Sequence, residues 1–148
     1  MLRRPAVLIV IGFGVFVFLG LSFLLARGLS AASTERGKVS ELLAAQARGD
    51  AGAVLAQLPA CRAEPACAQV TRARVARLRR PGRVQILNYE PSTRLSLTRR
   101  TGTGRVAWRA GESLPVVQCV RVRRDGPLTG GSVEILAVSD PIALEGSC

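Results

Sequence analysis

The polar and apolar positions divide the chain into three zones. From Ala6 to Ala26 no residue is charged, and only Gly12, Gly14, Gly20 and Ser22 interrupt the apolar run. As a helix this stretch would rise about 31 Å, the thickness of a bilayer's hydrocarbon core. A helix on the surface of a soluble domain needs only one apolar stripe, and this one is apolar all round. From Thr34 the apolar positions recur at helical spacing instead. Val39, Leu42, Leu43 and Ala47 share a face, Gly49 stands as a C-terminal stop, and Asp50 can cap a second helix over Ala51–Leu58 that Pro59 ends. This corner also accounts for the Arg48-Gly49-Asp50 tripeptide without an adhesion role. A third helix is expected from Pro65, with Cys67, Val70, Val75 and Leu78 on one arc and Arg74 inside that arc.

After Pro81-Gly82 the period drops to two. Five strands are expected: Val84–Tyr89, Arg94–Arg99, Arg105–Ala110, Val116–Arg124 and Ser132–Ser139. Turn-forming residues separate them: Glu90-Pro91-Ser92, Thr101-Gly102-Thr103-Gly104, Gly111-Glu112-Ser113 and Asp125-Gly126-Pro127 through Gly131. Short turns between successive strands predict an antiparallel meander. The last two strands read as the longest and most apolar, and so as the centre or the best-covered part of the sheet. The reading divides the chain into a cytoplasmic stub (1–5), a transmembrane helix (6–26), a juxtamembrane linker (27–33) and an extracytoplasmic α+β domain (34–148). In that domain two or three helices pack on a 4–5-stranded antiparallel sheet.

The order of helices before sheet resembles the NTF2-like, or cystatin-like, fold. So does the run from Leu42 to Ala51 with its Gly49-Asp50 corner, together with the strands Gly104–Trp108 and Val116–Val122. The resemblance covers about residues 34–140. It implies a cone with an interior pocket, for which Trp108 and Tyr89 are the candidate lining residues. Some enzymes of that family place Asp, His or Tyr inside the cone; this chain has no His, and no catalytic residue carries over. Other members with one membrane helix serve as scaffold subunits of envelope machines, which implies a protein partner.

Orientation follows from charge. Arg3, Arg4 and the amino terminus precede the apolar run, and Arg27 alone follows it closely, which favours an N-terminus inside and a domain outside. The alternative is a secreted protein cleaved after Ala32, since Ser30-Ala31-Ala32 offers small residues for a signal peptidase. Against cleavage, the apolar run exceeds the usual signal core of about 7–15 residues. All four cysteines lie in the exported part, where disulfides persist. Of the three connectivities, Cys61–Cys67 and Cys119–Cys148 are the most economical: the first staples a helix connection. The second follows from a hairpin about Pro127–Leu128, which would set Cys119 near Ala137.

The chain carries 21 Lys and Arg against 10 Asp and Glu, a net charge of +11, with Lys38 its single lysine. A GC-rich coding bias toward Arg explains part of this. The concentration of Arg72, Arg74, Arg77, Arg79, Arg80 and Arg83 is the candidate anion-binding set, fitted to anionic lipid or polymer. For Arg74 two readings stand: a stem along the core edge with its head in solvent, or a guanidinium lining an internal pocket. An exported domain leaves no nucleic-acid partner. The absence of His and of Cys-x-x-C removes His-based catalysis, zinc ribbons and thioredoxin chemistry, so no cofactor, metal or catalytic residue is assigned. An enzyme would have to use Glu134, Asp125 or Asp140, with Glu134 the carboxylate best placed to face inward. The expected function is a non-catalytic binding or scaffold module anchored in the envelope through residues 6–26. A small-molecule or lipid pocket and a polyanion-binding domain are the alternatives.

Overall fold

The computed structural model describes residues 3–91, 101–125 and 132–148, with side chains from residue 11, apart from those of residues 25–32. The elements are α1 (Arg3–Arg48), α2 (Ala51–Ala56), α3 (Pro59–Ala63), α4 (Pro65–Arg77), β1 (Val84–Glu90), β2 (Thr101–Ala110), β3 (Val116–Asp125) and β4 (Ser132–Val138). The strands form one antiparallel sheet in the order β1-β2-β3-β4. The chain is α+β, as the change of period from 3.6 to 2 requires.

α1 is a single helix of 46 residues. Its C-terminal half places Val39, Leu42, Leu43 and Ala47 in the core, and Gly49 ends it at φ 79°. The Gly49 and Asp50 amides donate to the Gln46 and Ala45 carbonyls, the paired bonds of a Schellman stop. Asp50 then caps α2 by accepting from the Ala53 amide. The linker expected at residues 27–33 is instead part of α1. Its small residues, Gly28 included, lower helix propensity by about 1 kcal/mol at most for each, too little to break a helix propagating from both sides.

Two further helical expectations change. Pro59 ends nothing; it opens α3, which the sequence reading had left out. On α4 the buried positions are Ala68, Thr71, Val75 and, just past its end, Leu78, while Val70 is exposed. The buried arc is rotated because α4 packs on α2 and α3, with Cys67 at its edge.

One face of the sheet takes the helices. Val106, Trp108 and Ala110 of β2, Val116, Val120 and Val122 of β3, and Val133, Ile135 and Val138 of β4 are buried there. The turn expected over Thr101–Gly104 is strand: these residues pair with Arg123, Val122, Arg121 and Val120 of β3. β2 and β3 are therefore the long central strands; of the two strands expected to form the centre or the best-covered part of the sheet, β3 is central and β4 is an edge. The expected strand Arg94–Arg99 lies outside the described residues.

Bulges set the register. One in β1 between Ile86 and Asn88 returns Tyr89 to the helix-facing side, and one in β4 skips Leu136. The second moves the strand forward by one residue and the hairpin register, with Asp125 opposite Ser132, by another, so Cys119 lies beside Ser139 rather than Ala137: the Ser139 amide donates to the Cys119 carbonyl at 2.9 Å. Beyond β4 an isolated bridge joins Ile142 to Val117. The tail then doubles over the outer face, where Arg105 donates to the Gly146 carbonyl at 2.9 Å and Cys148 is bonded to Cys119. The Cys61–Cys67 disulfide joins α3 to α4.

At the other end of α1, the side chains described over residues 11–24 are all exposed, with Phe13, Phe16, Phe18 and Leu24 each more than 60% exposed. Among the described residues no helix is long and apolar enough to cross a membrane. The anchor expected at residues 6–26 lies on α1 and is described only in part.

Candidate functional site

The six candidate arginines fall into two groups. Arg74 and Arg77 project from α4 toward Asp140, just past β4. Arg74 Nε and Nη2 reach the two Asp140 carboxylate oxygens at 2.9 and 3.4 Å, and its Nη1 donates to the Val138 carbonyl at 2.5 Å. Arg77 Nη2 reaches Asp140 Oδ1 at 3.1 Å. Arg74's hydrogen bonds are the main reason the Asp140 carboxyl titrates below its ordinary range; desolvation opposes them, and the charges of Arg74 and Arg77 add to the lowering. A cleft of about 330 Å³ opens here, lined by Arg74, Arg77, Leu78, Asp140 and Pro141. Its anion position is already filled by Asp140. Arg74 lies with its side chain only 13% exposed, and the carboxylate it meets, Asp140, is exposed.

Arg72, Arg79, Arg80 and Arg83 take no carboxylate among the described residues. Arg72 stands exposed on α4. The other three follow α4 and close against the far end of α1: the Arg80 amide donates to the Ala47 carbonyl at 2.9 Å, and the Arg79 stem lies along Gly49. Arg80 Nε is buried without a hydrogen-bond partner.

Trp108 and Tyr89 do not line the cleft. Trp108 is fully buried, and its indole N–H donates to Gln118 Oε1 at 2.9 Å. Gln118 is fully buried too; its amide accepts from Gln46 at 2.9 Å and donates to the Ser139 carbonyl at 2.8 Å. Leu42, Leu43, Leu58 and Trp108 are buried in one apolar cluster, and Gln46 and Gln118 are buried with them.

Tyr89 belongs to a cluster that the sequence reading missed. Glu35 of α1 is fully buried and accepts from the Tyr89 hydroxyl of β1 and from Arg124 Nη2 of β3. Burial first, and the hydrogen bond to Glu35 second, push the Tyr89 phenol well above its ordinary value. Nearby, Lys38 Nζ donates to the Val133 carbonyl on β4 at 2.5 Å. The cluster fastens α1 to the sheet where the helix enters the domain. Spacing was the available signal: Glu35 precedes Val39 and Leu42 at i+4 and i+7, and so lies on the apolar stripe.

The acids weighed as catalysts are all held by arginine. Glu134 takes an outer-face position and binds Arg123 Nη2 at 2.5 Å, which corrects the expectation that it faces inward. Asp125 binds the same guanidinium at 3.1 Å, and the Glu134 bond is the chief cause of the raised Arg123 pKa. Among the described residues, no group of three or more His, Cys, Asp or Glu could hold a metal ion. The four cysteines form the two disulfides, Cys61–Cys67 and Cys119–Cys148.

Fold and site define an α+β domain with a long N-terminal helix and arginine-rich faces. No protein-family model, curated protein or solved structure matches the chain.

Proposed function

We propose that the protein is a single-pass, non-catalytic binding or scaffold module, anchored by residues 6–26 with its α+β domain outside the cytoplasmic membrane. The observation that carries this is the form of α1. One unbroken helix joins an uncharged apolar segment, exposed over residues 11–24, to a helix end packed into the core. In water that segment would leave a large apolar surface uncovered, and lipid is the solvent that suits it. Arg3 and Arg4 ahead of it favour an N-terminus inside. Two disulfides suit an oxidising compartment outside. The engagement of Glu134, Asp125 and Asp140 by arginines leaves those acids poorly placed for acid–base chemistry, which favours binding over catalysis. Function would then lie in a surface that meets an envelope protein.

The test is expression of the full chain in bacterial cells, followed by carbonate extraction, protease treatment of spheroplasts and mass measurement. The expected result is a pelleted, uncleaved chain whose domain is digested from outside. A carbonate-soluble chain, a mature N-terminus at Ser33, or protection in spheroplasts would each overturn the anchored reading.

A further inference from the structure

The domain has two ends along α1, and they differ in charge pairing. At the entry end, Glu35, Asp125 and Glu134 each engage an arginine. At the opposite end, α1 stops at Arg48, residues 79–83 pass beneath it, and the β2–β3 turn closes alongside. Backbone contacts hold these segments together: the Arg80 amide to the Ala47 carbonyl at 2.9 Å, and the Gly111 amide to the Arg83 carbonyl at 3.1 Å. Gly82 and Gly111 approach so closely that a Cβ on Gly82 would lie 2.8 Å from the Gly111 backbone. Five arginines lie at this end: Arg48, Arg79, Arg83 and Arg109, which are exposed, and Arg80, which is half-buried. None is paired with a carboxylate among the described residues; Arg109 takes only the neutral Gln85 amide. The two carboxylates nearby are Asp50, which caps α2, and the exposed Glu112. In the same turn Leu114 is 82% exposed.

We propose that this end is a docking surface for a protein partner bearing carboxylates around a small apolar recess. Three arguments favour that occupant. Arginines with an apolar anchor among them are the composition of protein interfaces, whereas a polyanion gives Leu114 nothing to contact. A lone exposed leucine is ordinary, but this one sits in a turn locked to Arg83, so presenting it costs little ordering entropy. Location is the third. From Ala26 to Arg48, α1 rises about 33 Å, several times the Debye length of about 8 Å, so the lipid surface charge is screened out. Only this third argument rests on the anchored reading; the surface itself does not.

The test uses the full chain in zwitterionic nanodiscs and fluorescence anisotropy. The probes are a labelled peptide of repeating Glu-Glu-Leu, an all-Glu peptide of equal charge, and inorganic polyphosphate. The Leu-bearing peptide is expected to bind and to weaken as salt rises. Joint replacement Arg79→Glu and Arg83→Glu should weaken it about tenfold or more, by like-charge contact. The same reversal at the exposed Arg62 and Arg72, outside the cluster, should change it less than about twofold. Leu114→Ser should weaken the Leu-bearing peptide about fivefold and leave the other two probes unchanged. Equal losses from both charge reversals would overturn the proposal in favour of diffuse attraction. Tighter binding of polyphosphate with no effect of Leu114→Ser would overturn it in favour of a polyanion site. A chain that fails carbonate extraction yet gives the expected anisotropy pattern would refute the anchor and keep the surface.

Discussion

Gln118 is the residue whose replacement should cost the fold most for the least change in volume. Its amide joins three elements: it accepts from Trp108 of β2 and Gln46 of α1, both at 2.9 Å, and donates to the Ser139 carbonyl beyond β4 at 2.8 Å. All three side chains, Gln118, Trp108 and Gln46, are at most 1% exposed. Gln118→Leu keeps the shape and removes every bond, leaving an indole N–H and an amide N–H buried and unsatisfied and a half-buried backbone carbonyl without its donor. Each such group costs about 1–3 kcal/mol. Gln46 can swing part of its amide toward other acceptors, so the expected loss lies toward the low end of the simple sum of about 3–9 kcal/mol, at about 3–5 kcal/mol. Urea unfolding in mild detergent, followed by the fluorescence of the single Trp, reports on this domain directly. The melting temperature should fall by roughly 10–15 °C. Adding Gln46→Leu removes one orphaned donor, so the double variant should be less destabilised than the sum of the singles by about 1 kcal/mol. A single-variant loss below about 1 kcal/mol, or strict additivity, would refute the reasoning.

The remaining predictions concern the crosslinks and the two shifted groups. Replacing Cys119 and Cys148 by Ser opens a loop of separation 29 and should cost about 3.6 kcal/mol, against about 2.4 kcal/mol for Cys61 and Cys67 at separation 6; denaturant midpoints rank the two. Equal losses would contradict the loop-entropy account. Asp140 titrates below the ordinary carboxylate value of 3.8, so its contribution is complete above that pH and fades as the pH falls through the lower folded value. Asp140→Asn should therefore lower the melting temperature at neutral pH and flatten its decline in acid; parallel pH profiles for variant and parent would sink the assignment. Tyr89 is the chain's single Tyr and is raised above its ordinary 10.0, so its contribution is present at lower pH and lost as alkali ionises the unfolded chain. Tyrosinate absorbance should appear only with unfolding, and reversible ionisation near pH 10 in the folded protein would contradict the buried Glu35 contact.

What was legible in the sequence was local. Gly49 and Asp50 carry their own geometry, a positive-φ stop and an N-cap, and both roles appear where spacing put them. The same holds for the strands with clean alternation, where Val106 and Trp108 face the helices and Arg105 and Arg109 do not. The two disulfides followed from nearness along the chain and along a hairpin. What depends on partners far apart in sequence was not legible. Asp140 lies 66 residues from Arg74, and Arg124 lies 89 from Glu35. Charge counting placed Arg74 and Arg77 with Arg79, Arg80 and Arg83, and tertiary pairing separated them. The bulge at Leu136 is likewise invisible to an alternation argument, since one added residue leaves the apolar count unchanged and moves every later partner.

Residues 27–33 bear most on function: small and polar, they read as a short juxtamembrane linker, and they run as helix within α1. Propagation is cooperative: a helix already formed on both sides crosses such a stretch at a cost of a few tenths of a kcal/mol for each residue, up to about 1 for Gly28. The difference is mechanical. A tether would let the domain tumble, and no face would be defined relative to the membrane. With one continuous helix, clamped by Glu35 to Tyr89 and Arg124 as it enters the domain, the Arg48 end is carried outward at a fixed height on the anchored reading. On the proposed reading, the arginines of that end, which take no carboxylate among the described residues, would meet partners approaching from the compartment rather than lipid headgroups. The continuity of α1 would thereby give an excess of positive charge a direction.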